Sequence, residues 1–190
     1  GVNFMQYKNM LGAVHQPVMS VLCPVFLRTL PRRDFLSGAA EMLKTFVIRD
    51  EDGWYERAVR FMKGYSISED PSGYIKANEG ELAQLIGAAA AVKAGVVTRD
   101  PFEKGERRTL NLGHTFAHAI ETLVRRQDDE LTDMPVLNIR RRKSQVRDIT
   151  HGEAVAMGML MAARLAEHVE GLDVENGLSE RLEADMRACG

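Results

Sequence analysis

The feature that most constrains this chain is a change of sequence periodicity near residue 32. Before it, Pro17, Pro24 and Pro31 punctuate two short apolar runs, Val18 to Cys23 and Val25 to Leu27. Proline interrupts a helical ladder and tolerates extended backbone, so these runs predict strands or extended segments. From Asp34 onward, Phe35, Ala39, Met42, Leu43 and Phe46 recur at three- and four-residue spacing. That repeat lines up one helical face and predicts a helix over about 32–48. The acidic start Asp50-Glu51-Asp52 suits a second helix over 54–63. Gly64, Pro71 and Gly73 predict a loop over 64–77. Asn78 is expected to cap a long helix reaching about Val97, with Glu79 and Glu81 in its first turn. Further helices are predicted over about 109–126, 151–170 and 178–188. Between the first two of these, Asp128, Asp129, Glu130 and Asp133 are followed by Arg140, Arg141, Arg142 and Lys143. This charge block predicts a loop or hairpin-like insertion over 127–149. The expected fold is mainly α, with a short extended N-terminal portion.

Composition removes several function classes. The 190 residues are 45% hydrophobic and 27% charged, enough to bury a core without disulfides. A net charge of −2 argues against a nucleic-acid platform, which shows a basic excess. Cys23 and Cys189 form no CxxC pair, which excludes a cysteine-based zinc finger and predicts a reducing compartment. The most apolar run, Leu85 to Val97, is short of the roughly twenty residues of a membrane span. A cytoplasmic protein with neither a membrane nor a nucleic-acid partner is expected. The chain opens on Gly1-Val2-Asn3 and stops just after a helical pattern, so a piece of a longer protein is expected.

Three strings can carry chemistry. In Asn111-Leu112-Gly113-His114-Thr115-Phe116-Ala117-His118, the two histidines are four apart and share one helical face. Two such imidazoles can bind one metal, or one can bind while the other handles protons. There is no HExxH glutamate, which excludes the corresponding metalloprotease reading. In His151-Gly152-Glu153-Ala154-Val155-Ala156, the histidine stands at a helix start, where it is either a cap or a ligand. In Gly38-Ala39-Ala40-Glu41-Met42-Leu43-Lys44, Glu41 interrupts an apolar face. A buried carboxylate needs a partner, either Lys44 or a metal. A glutamate, two histidines and an open position make up the ligand count of a catalytic zinc. Lys93, Arg107, Arg108 and Lys8-Asn9 are cations and polar groups that can supply an anion pocket around it.

Together these strings resemble the dehydroquinate synthase family, the type member of the sugar-phosphate cyclases. The ordered blocks begin with Lys8 to Gly12, Phe26 to Arg33, Gly38 to Lys44 and Lys93 to Val97. Asp100 to Arg107, Leu110 to Glu121 and His151 to Ala156 complete them. The resemblance implies a helical C-terminal metal- and substrate-binding domain over 32–190. Residues 1–31 would then be left from the nucleotide-binding half or its linker. It implies Glu41, His114 and His151 as zinc (or cobalt) ligands, and His118 and Glu103 as acid–base groups. Asn9, Lys44, Lys93, Arg107 and Asn111 would contact substrate, and Lys8, Phe26 and Thr29 would contact NAD. The implied reaction converts 3-deoxy-D-arabino-heptulosonate 7-phosphate, a small anionic sugar phosphate, to 3-dehydroquinate and phosphate in the shikimate pathway. A homodimer is also implied. The chain has no glycine-rich phosphate loop after a strand, so alone it is expected to bind NAD weakly or not at all, and to be inactive. The 36 residues between His114 and His151 exceed the family's connection, so the charged block must loop out. The alternatives are another cyclase of the same fold, making inosose or valiolone rings, or a non-catalytic helical module that binds metal.

Overall fold

The structure, a computed structural model, describes residues 2–4, 7–13, 15, 17–132, 149–169 and 177–190. A short antiparallel hairpin comes first, β1 (Val2–Phe4) paired with β2 (Tyr7–Leu11) so that Val2 faces Leu11 and Phe4 faces Tyr7. A 3-10 turn over Pro24–Thr29 leads to α1 (Arg32–Ile48), α2 (Trp54–Ile67), α3 (Pro71–Ala77) and α4 (Glu79–Arg99). A second 3-10 turn, Glu106–Asn111, precedes α5 (His114–Thr132), α6 (His151–His168) and α7 (Leu178–Cys189). Mainly α is therefore the observed class.

The larger core lies among α1, α2, α3 and α4. Phe35, Ala39, Leu43 and Phe46 of α1 pack with Ala58, Phe61, Met62 and Tyr65 of α2, Ile75 of α3, and Leu82 and Leu85 of α4. Each fully buried large side chain here contributes about 1.5–3 kcal/mol of transfer free energy. A smaller core holds Ala117 of α5 against Ala154, Val155 and Met159 of α6. Ala117 and Ala154 leave room for the two helices to run close together, and the candidate site depends on that closeness.

Several expectations need correction. Residues 18–23 form no strand, and Val25 to Leu27 lie in the 3-10 turn begun by Pro24; the described strands lie upstream of Pro17. The expected loop over 64–77 is mostly helix. α2 continues through Gly64 because Tyr65 is a core residue whose ring stacks 4.3 Å from that of Phe35. Gly64 is needed where Tyr74 of α3 presses its hydroxyl on the helix, closer than a Cβ would allow. α3 is then started by Asp70, whose side chain accepts from Gly73 N at 2.9 Å, with Pro71 at the first helical position. Asn78 does bound α4, but its side chain donates to Tyr74 O at 2.9 Å, satisfying the end of α3 and not the start of α4.

The helix expected over 109–126 is two elements, the second 3-10 turn and α5. α5 runs on to Thr132, so 127–132 are helical, and residues 133–148 of the expected insertion lie outside the described residues. At 21 residues, α4 is long and apolar enough, by length and composition alone, to cross a membrane. The expectation drawn from Leu85 to Val97 counted too short a run. In this fold α4 packs on α1 and α2 and carries an exposed Lys93.

Candidate metal centre

Two close helix crossings build the site. α6 begins at a capping box: Glu153 N donates to Thr150 Oγ1 at 3.2 Å, and Thr150 N donates to Glu153 Oε2 at 2.7 Å. The cap is therefore Thr150, and His151 is left at the first helical position with its ring outward. Just inside this turn, Gly152 lies against the Ser37 backbone of α1, where a Cβ would collide with Ser37 O, and Gly152 N donates to Ser37 Oγ at 2.9 Å. One turn beyond Ser37 on α1 is Glu41.

The second crossing joins α5 and α6. Gly113 sits at φ +76°, in the left-handed region that glycine enters without cost, and a Cβ there would fall 2.7 Å from Met159 N. Gly158 in turn lies against Gly113 O. The residue after Gly113 is His114. Each of the three side chains is thus adjacent to, or one turn from, a point where backbones touch. Residues 73 and 110 positions apart in sequence converge because side chains are missing at the crossings.

The result is a compact donor set. The ligand atoms of Glu41, His114 and His151 all lie within 4.8 Å of one another. Glu41 Oε1 is 3.5 Å from His114 Nε2 and 3.3 Å from His151 Nε2. The other ring nitrogens fix the tautomers. His151 Nδ1 is 2.9 Å from Glu121 Oε1, and His114 Nδ1 is 3.3 Å from Leu112 O. A carboxylate and a carbonyl only accept, so these contacts favour a hydrogen on each Nδ1, and a neutral ring of that tautomer presents its Nε2 lone pair. Three lone pairs then face one another, an arrangement that repels unless a cation lies among them. Two donors about 2.1 Å from a tetrahedral ion are about 3.4 Å apart, which matches the two spacings to Glu41.

The charge states suit the same task. Burial pushes the Glu41 carboxyl up, but its hydrogen bond to Lys44, the Lys44 charge and both imidazoles outweigh this and hold it below its ordinary 4.5. Burial, reinforced by the Lys44 charge, holds His114 below 6.5, so the ring is neutral near pH 7. Lys44, only 5% exposed, sits 2.5 Å from Glu41 Oε2. The partner within α1 that the sequence offers Glu41 is therefore realised, on the oxygen turned away from the histidines.

Comparison with known proteins gives the family. Residues 38–129 match the family model described as 3-dehydroquinate synthase C-terminal. A 3-dehydroquinate synthase of Symbiobacterium thermophilum is 36% identical over 182 residues, covering 96% of this chain and 42% of that protein. One from Halorhodospira halophila is 39% identical over 192 residues, covering 100% of this chain and 45% of that protein. A third, from Xanthomonas oryzae, is 38% identical over 165 residues. The chain belongs to the 3-dehydroquinate synthase family. It spans 42–45% of the length of the first two of these relatives.

The other candidates are distributed around the donor set in different ways. The His118 ring centroid lies 5.7 Å from that of His114 and 6.4 Å from that of His151, beside the set but outside the group of three. Glu103, at φ 57°, accepts from Asn111 Nδ2 at 2.7 Å, in the turn that leads directly into Gly113 and His114. Asp100 organises this turn by accepting from Lys104 N at 2.9 Å, Gly105 N at 2.7 Å and Arg107 N at 3.1 Å, and those bonds hold its carboxyl below the usual range. The Arg107 guanidinium donates to Pro101 O at 2.7 Å. Lys93 is exposed on α4, and Phe26 and Thr29 are exposed in the first 3-10 turn. Lys8 and Asn9 are on β2, with side chains outside the described ones. An apolar cavity of about 250 Å³ lies between that turn, α1 and α4, lined by Leu27, Phe35, Met42 and Leu82, and is lined by none of the three donors.

Glu121 carries a contact to the site that sequence reasoning did not assign. Its signal was its position, seven residues after His114 and three after His118, on the same face of α5.

Proposed function

We propose that this chain is the metal- and substrate-binding domain of a 3-dehydroquinate synthase. The reaction is the conversion of 3-deoxy-D-arabino-heptulosonate 7-phosphate to 3-dehydroquinate and phosphate, in the cytoplasm, with zinc and NAD, in a homodimeric full-length enzyme. The observation that carries this reading is the convergence of Glu41 Oε1 with the Nε2 atoms of His151 and His114 at 3.3 and 3.5 Å. A carboxylate and two imidazoles with an open position form the ligand count of a catalytic and not a structural zinc.

When bound, zinc acts as a Lewis acid that acidifies and orients a substrate hydroxyl. The protein's own residues supply the rest. Glu41, His114 and His151 fix the ion's place on three rigid helices. His118, beside the set, takes or returns a proton at its ring. Glu103, held by Asn111, is a second proton-handling group in the preceding turn. Lys44 offers a buried positive charge next to Glu41 for a substrate oxygen or carboxylate. Arg107 and Lys93 add positive charge for phosphate and carboxylate. Fixed cations of this kind stabilise negative charge as it develops. For NAD, the described residues offer Phe26 and Thr29 in an exposed turn and no glycine-rich loop between a strand and a helix.

The test begins with metal content. The purified chain should hold about one zinc, and Glu41→Ala, His114→Ala and His151→Ala should each lose it while keeping the helical circular-dichroism spectrum. Supplied with the nucleotide-binding part of a relative and NAD, the zinc-loaded chain should release phosphate from the heptulosonate phosphate. Zinc binding without phosphate release would leave a metal-binding module and sink the catalytic reading.

A further inference from the structure

Glu121 is a carboxylate on α5 that is only 8% exposed, and a group so far out of water needs a partner to remain ionised. Its Oε1 lies 2.9 Å from His151 Nδ1, on the next helix. We propose that Glu121 is a positioning residue for the metal centre: it holds the His151 ring in the tautomer and orientation that aim Nε2 at the ion. The inference rests on the metal-centre reading above and adds a residue to it.

The argument is geometric. His151 stands at the first turn of α6, and its side chain is 42% exposed. Packing alone does not fix such a ring. A histidine at a helix start has two free torsions, and a flipped ring would put Cε1 where Nε2 faces Glu41 and Cδ2 where Nδ1 meets Glu121. The bond to Glu121 removes that choice, because only the observed orientation sets an Nδ1 hydrogen against its carboxylate, and a neutral ring held so turns its Nε2 lone pair toward Glu41 Oε1, 3.3 Å away. Glu121 is itself fixed by burial on the helix that carries His114. α5 therefore supplies one ligand directly and the support of another, and the bond ties α5 to α6 across the site. Among the described residues, the partner of His114 Nδ1 is not a carboxylate but the Leu112 carbonyl, at a longer 3.3 Å. The two imidazoles are thus held unequally, and His151, the more exposed ring, has the stronger support. Such outer partners raise the basicity of the ligand and typically govern metal affinity by roughly 10–100-fold.

The experiment measures zinc affinity by competition with a chromophoric chelator, and the visible spectrum of the cobalt-loaded chain. The proteins compared are wild type, Glu121→Ala, Glu121→Gln and His151→Ala. Glu121→Ala should weaken zinc by about 10–100-fold and alter the cobalt bands, and Glu121→Gln, whose carbonyl can still accept from Nδ1, should recover part of both. The gain from Ala to Gln and the change in cobalt bands are what a merely structural glutamate would not produce. Should Glu121→Ala fail to fold, Glu121→Met, which fills the space without an acceptor, takes its place: wild-type zinc affinity and wild-type cobalt bands in that variant overturn the proposal. If the wild type itself binds neither ion, it is the metal-centre reading that fails. If the wild type binds and both Glu121 variants match it, the metal-centre reading stands and the positioning role is wrong.

Discussion

At the scale of single residues, the site is governed by one buried cation and the groups it faces. The Lys44 ammonium lies against Glu41 and lowers the proton affinity of both Glu41 and His114. In the metal-free protein the His114 ring should therefore titrate below 6.5, which heteronuclear NMR of the imidazole reads directly. Lys44→Met removes a charge that disfavours protonation and should raise that midpoint; Glu41→Gln removes one that favours it and should lower it further. A Lys44→Met midpoint at or below the wild-type one would contradict this account. The stability consequence has a definite sign. Both groups bind protons more weakly folded than unfolded, so the unfolded chain carries more protons as the pH falls, and stability falls with it. The loss begins below the ordinary histidine value of 6.5 through His114 and continues below 4.5 through Glu41. Thermal unfolding of the metal-free chain at stepped pH should show Tm falling in that order, and His114→Ala should remove the first part.

At the scale of elements, glycines at crossings set how near the ligand-bearing helices come. Gly152 has no room for a methyl group, since the atoms in the way are the Ser37 backbone and not a flexible side chain. Gly152→Ala should force α1 and α6 apart, costing about 1–3 kcal/mol. It should also weaken zinc binding, because Glu41 and His151 stand on opposite sides of the contact. Gly87 is the control: it lies mid-way along α4 with nothing near its would-be Cβ, so Gly87→Ala should gain about 0.5–1 kcal/mol and leave metal affinity unchanged. Calorimetry with zinc titration of both variants separates the two effects.

The same elements show what could be read from the sequence. α1 came out at its observed bounds because its core face repeats over four turns. The candidate ligands Glu41, His114 and His151 stand out as polar groups in apolar or glycine-bounded strings. α3 was hidden because Pro71 and Gly73 are both loop-formers and helix starters, and only the Asp70 cap decides between them. The Thr150 cap was legible as T-x-x-E, but a histidine beside it drew the reading. Glu121 is a helical glutamate like many others until α6 places His151 next to it. Tertiary contact, not local pattern, gives these residues their roles.

At the scale of the whole molecule, a bound ion joins parts of the chain that have separate cores. Glu41 stands on the helix at the centre of the larger core, while His114 and His151 flank the small Ala117, Ala154, Val155 and Met159 cluster. That second cluster is modest, and the α5–α6 pair depends on close backbone contact more than on buried area. An ion held by all three ligands exists only when α1, α5 and α6 are assembled, so its binding free energy adds to the folding free energy of the assembled state. At a zinc concentration 100 times the dissociation constant, the gain is about 2.7 kcal/mol. For a chain of this size that corresponds to a rise in Tm of about 5–10 °C. Differential scanning calorimetry should show the rise in the wild type and none in His151→Ala, where the ligand from α6 is gone. Amide hydrogen exchange should place the added protection in α5 and α6 as well as in α1, because closing the site requires all three. A zinc-dependent rise in Tm that survives His151→Ala, or protection confined to α1, would mean that the ion sits elsewhere and that the two cores are not coupled through this site.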